Sequence, residues 1–153
     1  MPARSFAAYF LSLLALAGCG GRRAPTLGKS SSLECAPYAR QVSGVQLYGD
    51  AAEWWDQAEG RYARSTRPSA GAILVFRRSD RLPFGHVSVV SRVLSRREIR
   101  VTQANWVYHR LGQDDAVMDV SEQGDWSAVR VWWPPSQALG ATTYPAYGFV
   151  GPS

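Results

Sequence analysis

Lysine is almost missing from this chain. Lys29 stands alone, so arginine carries nearly all of the positive charge, and 17 basic residues against 12 acidic ones leave a formal charge of +5. Cysteine and histidine are as scarce, with two of each. None of the four stands at the paired spacing of a zinc site, so no metal is expected. There is no glycine-rich phosphate loop and no internal repeat, which removes P-loop and solenoid readings. The apolar run Phe6 to Ala17 is too short to span a bilayer as a stable helix. What is abundant is aromatic: 12% of the residues, with six tryptophans, so that some rings must be partly exposed or line a groove. The pI near 9.6 points to an anionic partner. Nucleic acid, phospholipid headgroups and an acidic cell-wall polymer fit that charge equally well. At 153 residues the chain suffices for one domain with a modest core.

The first segment reads as an export signal. Arg4 supplies a positive start, the apolar run follows, and Leu16-Ala17-Gly18-Cys19 closes it. This ending resembles a bacterial lipobox, in which cleavage before the cysteine leaves a thiol that carries diacylglycerol. Ordinary cleavage after Ala17 or Gly18 is the alternative. Gly20 in place of an aspartate resembles Gram-negative lipoproteins sorted to the outer membrane, facing the periplasm. Residues 1–18 are thus expected to be removed, Cys19 to be lipidated, and residues 19–32 to form a tether. That tether is rich in Gly, Arg, Ser and Pro, and sets Arg22, Arg23 and Lys29 near the membrane surface. Export also argues against nucleic acid as a partner. A monomer is expected.

Cys35 is then the one thiol left. In an exported protein it is inert and buried, half of an intermolecular bridge, or a nucleophile. Pro37 suits a first helical turn and Gly44 the position past a last one, so a helix is expected from about Ala36 to Ser43. Cys35 at its start would have its pKa lowered by free amides and the helix dipole. A second helix is expected from Asp50 to Gly60, with Asp50 and Glu53 as a capping-box-like pair. Trp54, Trp55 and Ala58 fall at helical spacing; core packing is the default for such a pair, with one ring left to face a groove.

Residues 61–69 read as loop. Ala72 to Phe76 reads as a buried strand, and His86 to Leu94 as a strand with one buried face. Glu98 to Ala104 reads as its hairpin partner, and Ser127 to Trp133 as a further strand. Ser136 to Ser153, with its glycines and prolines, is expected to wrap the surface irregularly. Helices precede strands, which is an α+β order: N-terminal helices packed on an antiparallel sheet.

A cysteine nucleophile needs a base and a group that orients the base. His86 opens a predicted strand and is the candidate base; His109 sits in a polar stretch and reads as a surface residue. Asn105 follows the strand that pairs with the His86 strand. A hairpin brings a strand's start near its partner's end, so Asn105 is the candidate orienter.

The order Cys, His, Asn resembles the CHAP domain, the cysteine, histidine-dependent amidohydrolase/peptidase of the papain-like, NlpC-type superfamily. Shared features are Cys35-x-x-Tyr38-Ala39, Gly49-Asp50-Ala51 with Trp54, Trp55 and Ala58, and Pro68-x-x-Gly71-Ala72-Ile73 with Val75-Phe76. Gly85-His86-Val87 with Val90, and Ala104-Asn105-Trp106, complete them. They run from Leu33 to Trp106 and more weakly to Trp133. The resemblance implies a papain-like domain over residues 33–153 with its core at 33–133. It further implies Cys35 as nucleophile, His86 as base, Asn105 as orienter, and no cofactor. Its activity would be peptidoglycan hydrolysis, as an N-acetylmuramoyl-L-alanine amidase or a peptide endopeptidase, with Tyr38, Trp54, Trp55 and Trp106 as groove candidates. Two positions depart from the family pattern. Gln103 stands where many members have an acid, and Glu34 where many have a glutamine suited to an oxyanion hole. These departures keep two alternatives open: a non-catalytic wall-binding or envelope lipoprotein on the same fold, and an amidase acting on another small amide such as a glutathionyl conjugate.

Overall fold

A computed structural model describes residues 33–151. The expected signal, Cys19 and the tether lie outside the described residues. Helix α1 covers Cys35–Ser43 and ends where Gly44 turns left-handed, its amide donating to the Arg40 carbonyl at 2.9 Å. Eight strands follow among the described residues: β1 Ala63–Ser65, β2 Ile73–Phe76, β3 His86–Val93, β4 Glu98–Ala104, β5 Leu111–Asp119, β6 Ala128–Trp133, β7 Ala138–Leu139 and β8 Tyr144–Gly151. All their pairings are antiparallel, in the order β1-β8-β2-β3-β4-β5-β6-β7. Strand β8 also pairs with β6, through Ala128 with Pro145 and Val129 with Tyr144, which closes β8 and β2–β6 into a barrel. Closure leaves those six strands without a free edge.

Period-two side-chain alternation divides the core. Leu74, Phe76, Val90, Ile99, Val101, Val117, Val129, Val131 and Phe149 fill the barrel. Ile73, Val75, Val87, Val89 and Val150 point the other way, onto Ala39 of α1 and the segment carrying Val45, Leu47 and Trp54. Tyr38 ties α1 to the sheet, its hydroxyl 2.7 Å from Thr102 Oγ1.

The balance is more β than the α+β expectation. The expected helix from Asp50 to Gly60 is a 3-10 turn at Ala51–Glu53 and a single turn of helix, α2, at Trp54–Gln57. Asp50 and Glu53 make no cap. Their carboxylates instead accept from Arg78, at 2.8 and 3.3 Å. Residues 63–65, expected as loop, pair with the end of β8.

The largest correction is the C-terminal segment, expected to be irregular but containing the strand that closes the barrel. Its glycines serve close packing. A Cβ on Gly148 would lie 2.6 Å from the Ser65 carbonyl oxygen, and one on Gly151 would lie 2.8 Å from Ala72 Cβ. Ala146 and Phe149 both belong to the barrel interior although three residues apart. A register shift absorbs the odd residue: Val75 pairs with Gly148 but Phe76 with Ala146.

Candidate active site

Cys35 is the first residue of α1, and Glu34 before it is extended and makes no side-chain cap. The thiol is partly buried and packs against the cluster that holds Val87, the second residue of β3, where the backbone amides of Val87, Ala36 and Cys35 itself favour the thiolate. Helix start and strand start therefore meet at the sulfur. His86, one residue before Val87, is 4% exposed, and Nε2 lies 3.0 Å from Gln103 Oε1. Phe76 and Trp106 wall the imidazole, with ring centroids at 5.4 and 5.0 Å. Gly85 makes this entry possible: its φ is +72°, and a Cβ there would fall 2.7 Å from both Ala52 Cβ and the Phe76 carbonyl oxygen.

The orienting contact expected from Asn105 comes from Gln103. Extended past Val89–Thr102, the β3–β4 register would set Asn105 opposite His86. But β4 ends at Ala104, and Asn105 turns left-handed, with φ 61°. Its amide nitrogen donates to Glu34 Oε2 at 3.0 Å, and its Oδ1 accepts from the His109 amide at 2.9 Å. Gln103, facing the barrel interior, reaches the imidazole instead. Its own Nε2 donates to Asp115 Oδ2 at 2.9 Å, so a buried line runs His86–Gln103–Asp115 across β3, β4 and β5.

Nothing in the sequence pattern marked Asp115 or its strand. The run Leu111-Gly-Gln-Asp-Asp-Ala has no alternation, and Asp114 sits at φ 60° where the register against β4 slips. Gly112 was the available signal. A Cβ there would collide with the Asp115 carboxylate, and it lies 3.3 Å from Gln103 Cγ. Gly112→Ala is therefore expected to destabilise the fold by about 2 kcal/mol, as overpacking does, and to displace Asp115. Urea denaturation measures the first effect; an unchanged midpoint would contradict it.

The four groove candidates separate. Trp54 is fully buried in the core beneath α1, and its expected groove role is withdrawn. Tyr38 is committed to Thr102. Trp55 stacks on Tyr147 at 5.7 Å under Arg64, facing a shallow basin with Thr66 and Arg67. Trp106 alone of the four adjoins the imidazole. It lines a pocket of about 240 Å³ with Arg81, Trp133, Thr142 and Tyr144, and another of about 160 Å³ with Arg110, Gly112 and Asp115. Arg81, Trp133 and Tyr144 carried no sequence signal as site residues.

The electrostatics differ from the expected preformed thiolate. Burial pushes the Cys35 thiol up, the Glu34 carboxylate pushes the same way, and the three amides only partly offset them. Burial also lowers the His86 pKa to about 4, against the opposing contact with Gln103. At neutral pH the pair therefore rests as thiol and neutral imidazole, so attack by this sulfur would require a proton to move.

Comparison with known proteins adds the family. A CHAP domain family model matches residues 26–105, just over half of the chain. The chain belongs to the CHAP domain family. Cys35, His86, Gln103 and Asn105 all fall within the match, whereas Asp115 and β5–β8 lie beyond it. Among solved structures, the N-acetylmuramoyl-L-alanine amidase from Staphylococcus aureus is similar at 20% identity with a TM-score of 0.45. That likeness covers 74% of this chain and 30% of the amidase chain. The chain thus spans less than a third of that protein's length. No curated protein matches the chain.

Proposed function

We propose that this CHAP domain hydrolyses an amide bond in peptidoglycan, as an N-acetylmuramoyl-L-alanine amidase or a stem-peptide endopeptidase, with Cys35 as nucleophile. The observation that carries the reading is the packing of Cys35, at the start of α1, against the start of β3, where His86 presents a buried imidazole held by Gln103. His86 takes the thiol proton through Nδ1 as sulfur adds to the carbonyl carbon. The amides at the start of α1 stabilise the oxyanion. The imidazolium then protonates the departing amine, and water, deprotonated by His86, releases the acid from the acyl-enzyme. Stem peptides end in carboxylates, and the pocket beside Trp106 offers Arg81 together with aromatic walls.

The amino-terminal signals support export as a lipoprotein anchored through Cys19 at the outer membrane, facing the periplasm. Residues 33–151 hold thirteen arginines against twelve acids, so the domain is nearly neutral. The basic excess sits in Arg22, Arg23 and Lys29, which suits a tether over an anionic bilayer better than a basic groove. One observation favours a second reading, a wall-binding lipoprotein without catalysis: the resting thiol is raised, with Glu34 beside it. Incubating the chain from residue 20 onward with purified peptidoglycan decides between them. Soluble fragments whose masses show one hydrolysed amide support the hydrolase and identify the bond. Cosedimentation without fragments supports the binding protein.

A further inference from the structure

Asp115 is a buried acid without a cation. It makes no ion pair among the described residues, while its neighbour Asp114 holds Arg92 at 2.6 Å. The side-chain partner of Asp115 is Gln103, and the partner of Gln103 on its other side is His86. Burying a carboxylate is costly unless hydrogen bonds compensate it, and this line of bonds leads only to the imidazole. Of the six buried polar side chains among the described residues, Asp119 and Ser121 are bonded to each other in a separate turn, and three of the remaining four form this line.

The direction of the line follows from its end. Burial pushes the Asp115 pKa up, but donation from Gln103 favours the carboxylate; a carboxylate only accepts, so Gln103 turns its NH2 toward Asp115 and its carbonyl toward His86. The carbonyl in turn only accepts, so the imidazole must carry its proton on Nε2. That leaves Nδ1 with a lone pair, the form able to take a proton from a thiol. We propose that Asp115 is a positioning residue that sets the His86 tautomer through Gln103, replacing at one remove an acid in direct contact with the imidazole. The catalytic meaning of this rests on the thiol-hydrolase reading; the tautomer itself does not.

The test reads the tautomer directly. The chain is labelled with 15N-histidine, and with two histidines a His109→Gln variant assigns the signals. Nitrogen shifts near neutral pH are expected to show His86 protonated on Nε2. In Asp115→Asn the partner can donate or accept, so Gln103 is free to flip and the Nδ1–H form appears. Hydrolysis should fall in proportion to the lost Nε2–H fraction, about two- to tenfold. In Gln103→Glu/Asp115→Asn a carboxylate at position 103 can again only accept from the imidazole, and the Nε2–H form returns. A wild-type imidazole protonated on Nδ1 overturns the proposal, whatever the variants do. So does an Asp115→Asn protein that folds and keeps the wild-type tautomer, or a double variant that stays mixed. If the wild type cleaves nothing yet the tautomers move as stated, the hydrolase reading fails and the positioning role stands.

Discussion

Cys35→Ala and His86→Gln are each expected to reduce fragment release from peptidoglycan by about a thousandfold, the scale of losing a nucleophile or its base. His86→Gln carries a second effect, on folding. The imidazole is buried, and its pKa falls to about 4 from an ordinary 6.5. Between those two values the unfolded chain binds a proton that the native chain refuses. Stability is therefore undiminished above pH 6.5, falls as pH drops through the window, and levels off below 4. The shift corresponds to about 3 kcal/mol. Urea denaturation at pH 7.5 and pH 4 measures it: the wild type should lose about 3 kcal/mol more than His86→Gln. Equal losses would mean that the imidazole is hydrated, and the argument for a desolvated base would go with it.

The sequence carried the parts of this site whose signals are local. Pro37 and Gly44 bracketed α1 to within a residue of its ends, and the apolar alternation of His86–Val93 and Glu98–Ala104 set the hairpin. The same local reasoning failed where structure is decided at a distance. β8 contains Pro145, Gly148 and Gly151, which weaken an isolated strand. They are tolerated because β2 lies along one edge and β6 and β1 share the other, and because small residues let Ser65 and Ala72 approach. Partners β1 and β2 lie seventy or more residues away and leave no periodic trace. Asn105 failed for a related reason. Register arithmetic placed it opposite His86, but one left-handed residue ends the strand and sends its side chain to Glu34. The family resemblance marked position 103 as the usual seat of an acid. It gave no sign of Asp115 one strand further, because its named motifs end at Trp106 and the family match ends at residue 105.

Glu34→Gln is expected to raise activity, an uncommon direction for a substitution beside a proposed nucleophile. The Glu34 carboxylate pushes the Cys35 pKa up and would oppose negative charge developing on a substrate oxygen at the helix start. A glutamine keeps an oxygen able to accept from Asn105 Nδ2, the contact Glu34 now makes at 3.0 Å, so the local geometry should persist. Glu34 is exposed, and a charge a few ångströms away in such a setting is worth roughly 1 kcal/mol, or about fivefold in rate. Alkylation of Cys35 across a pH series separates the two contributions. Its midpoint should move down in Glu34→Gln, because removing the carboxylate lowers the thiol pKa, while burial still holds it up. Peptidoglycan hydrolysis should rise by more than the thiolate fraction alone accounts for, because the oxyanion gains as well. If the midpoint moves and hydrolysis does not, Glu34 faces the sulfur but not the oxyanion site. If neither moves, the carboxylate is turned toward solvent in solution, and the departure from the family's glutamine at this position leaves the thiol unaffected.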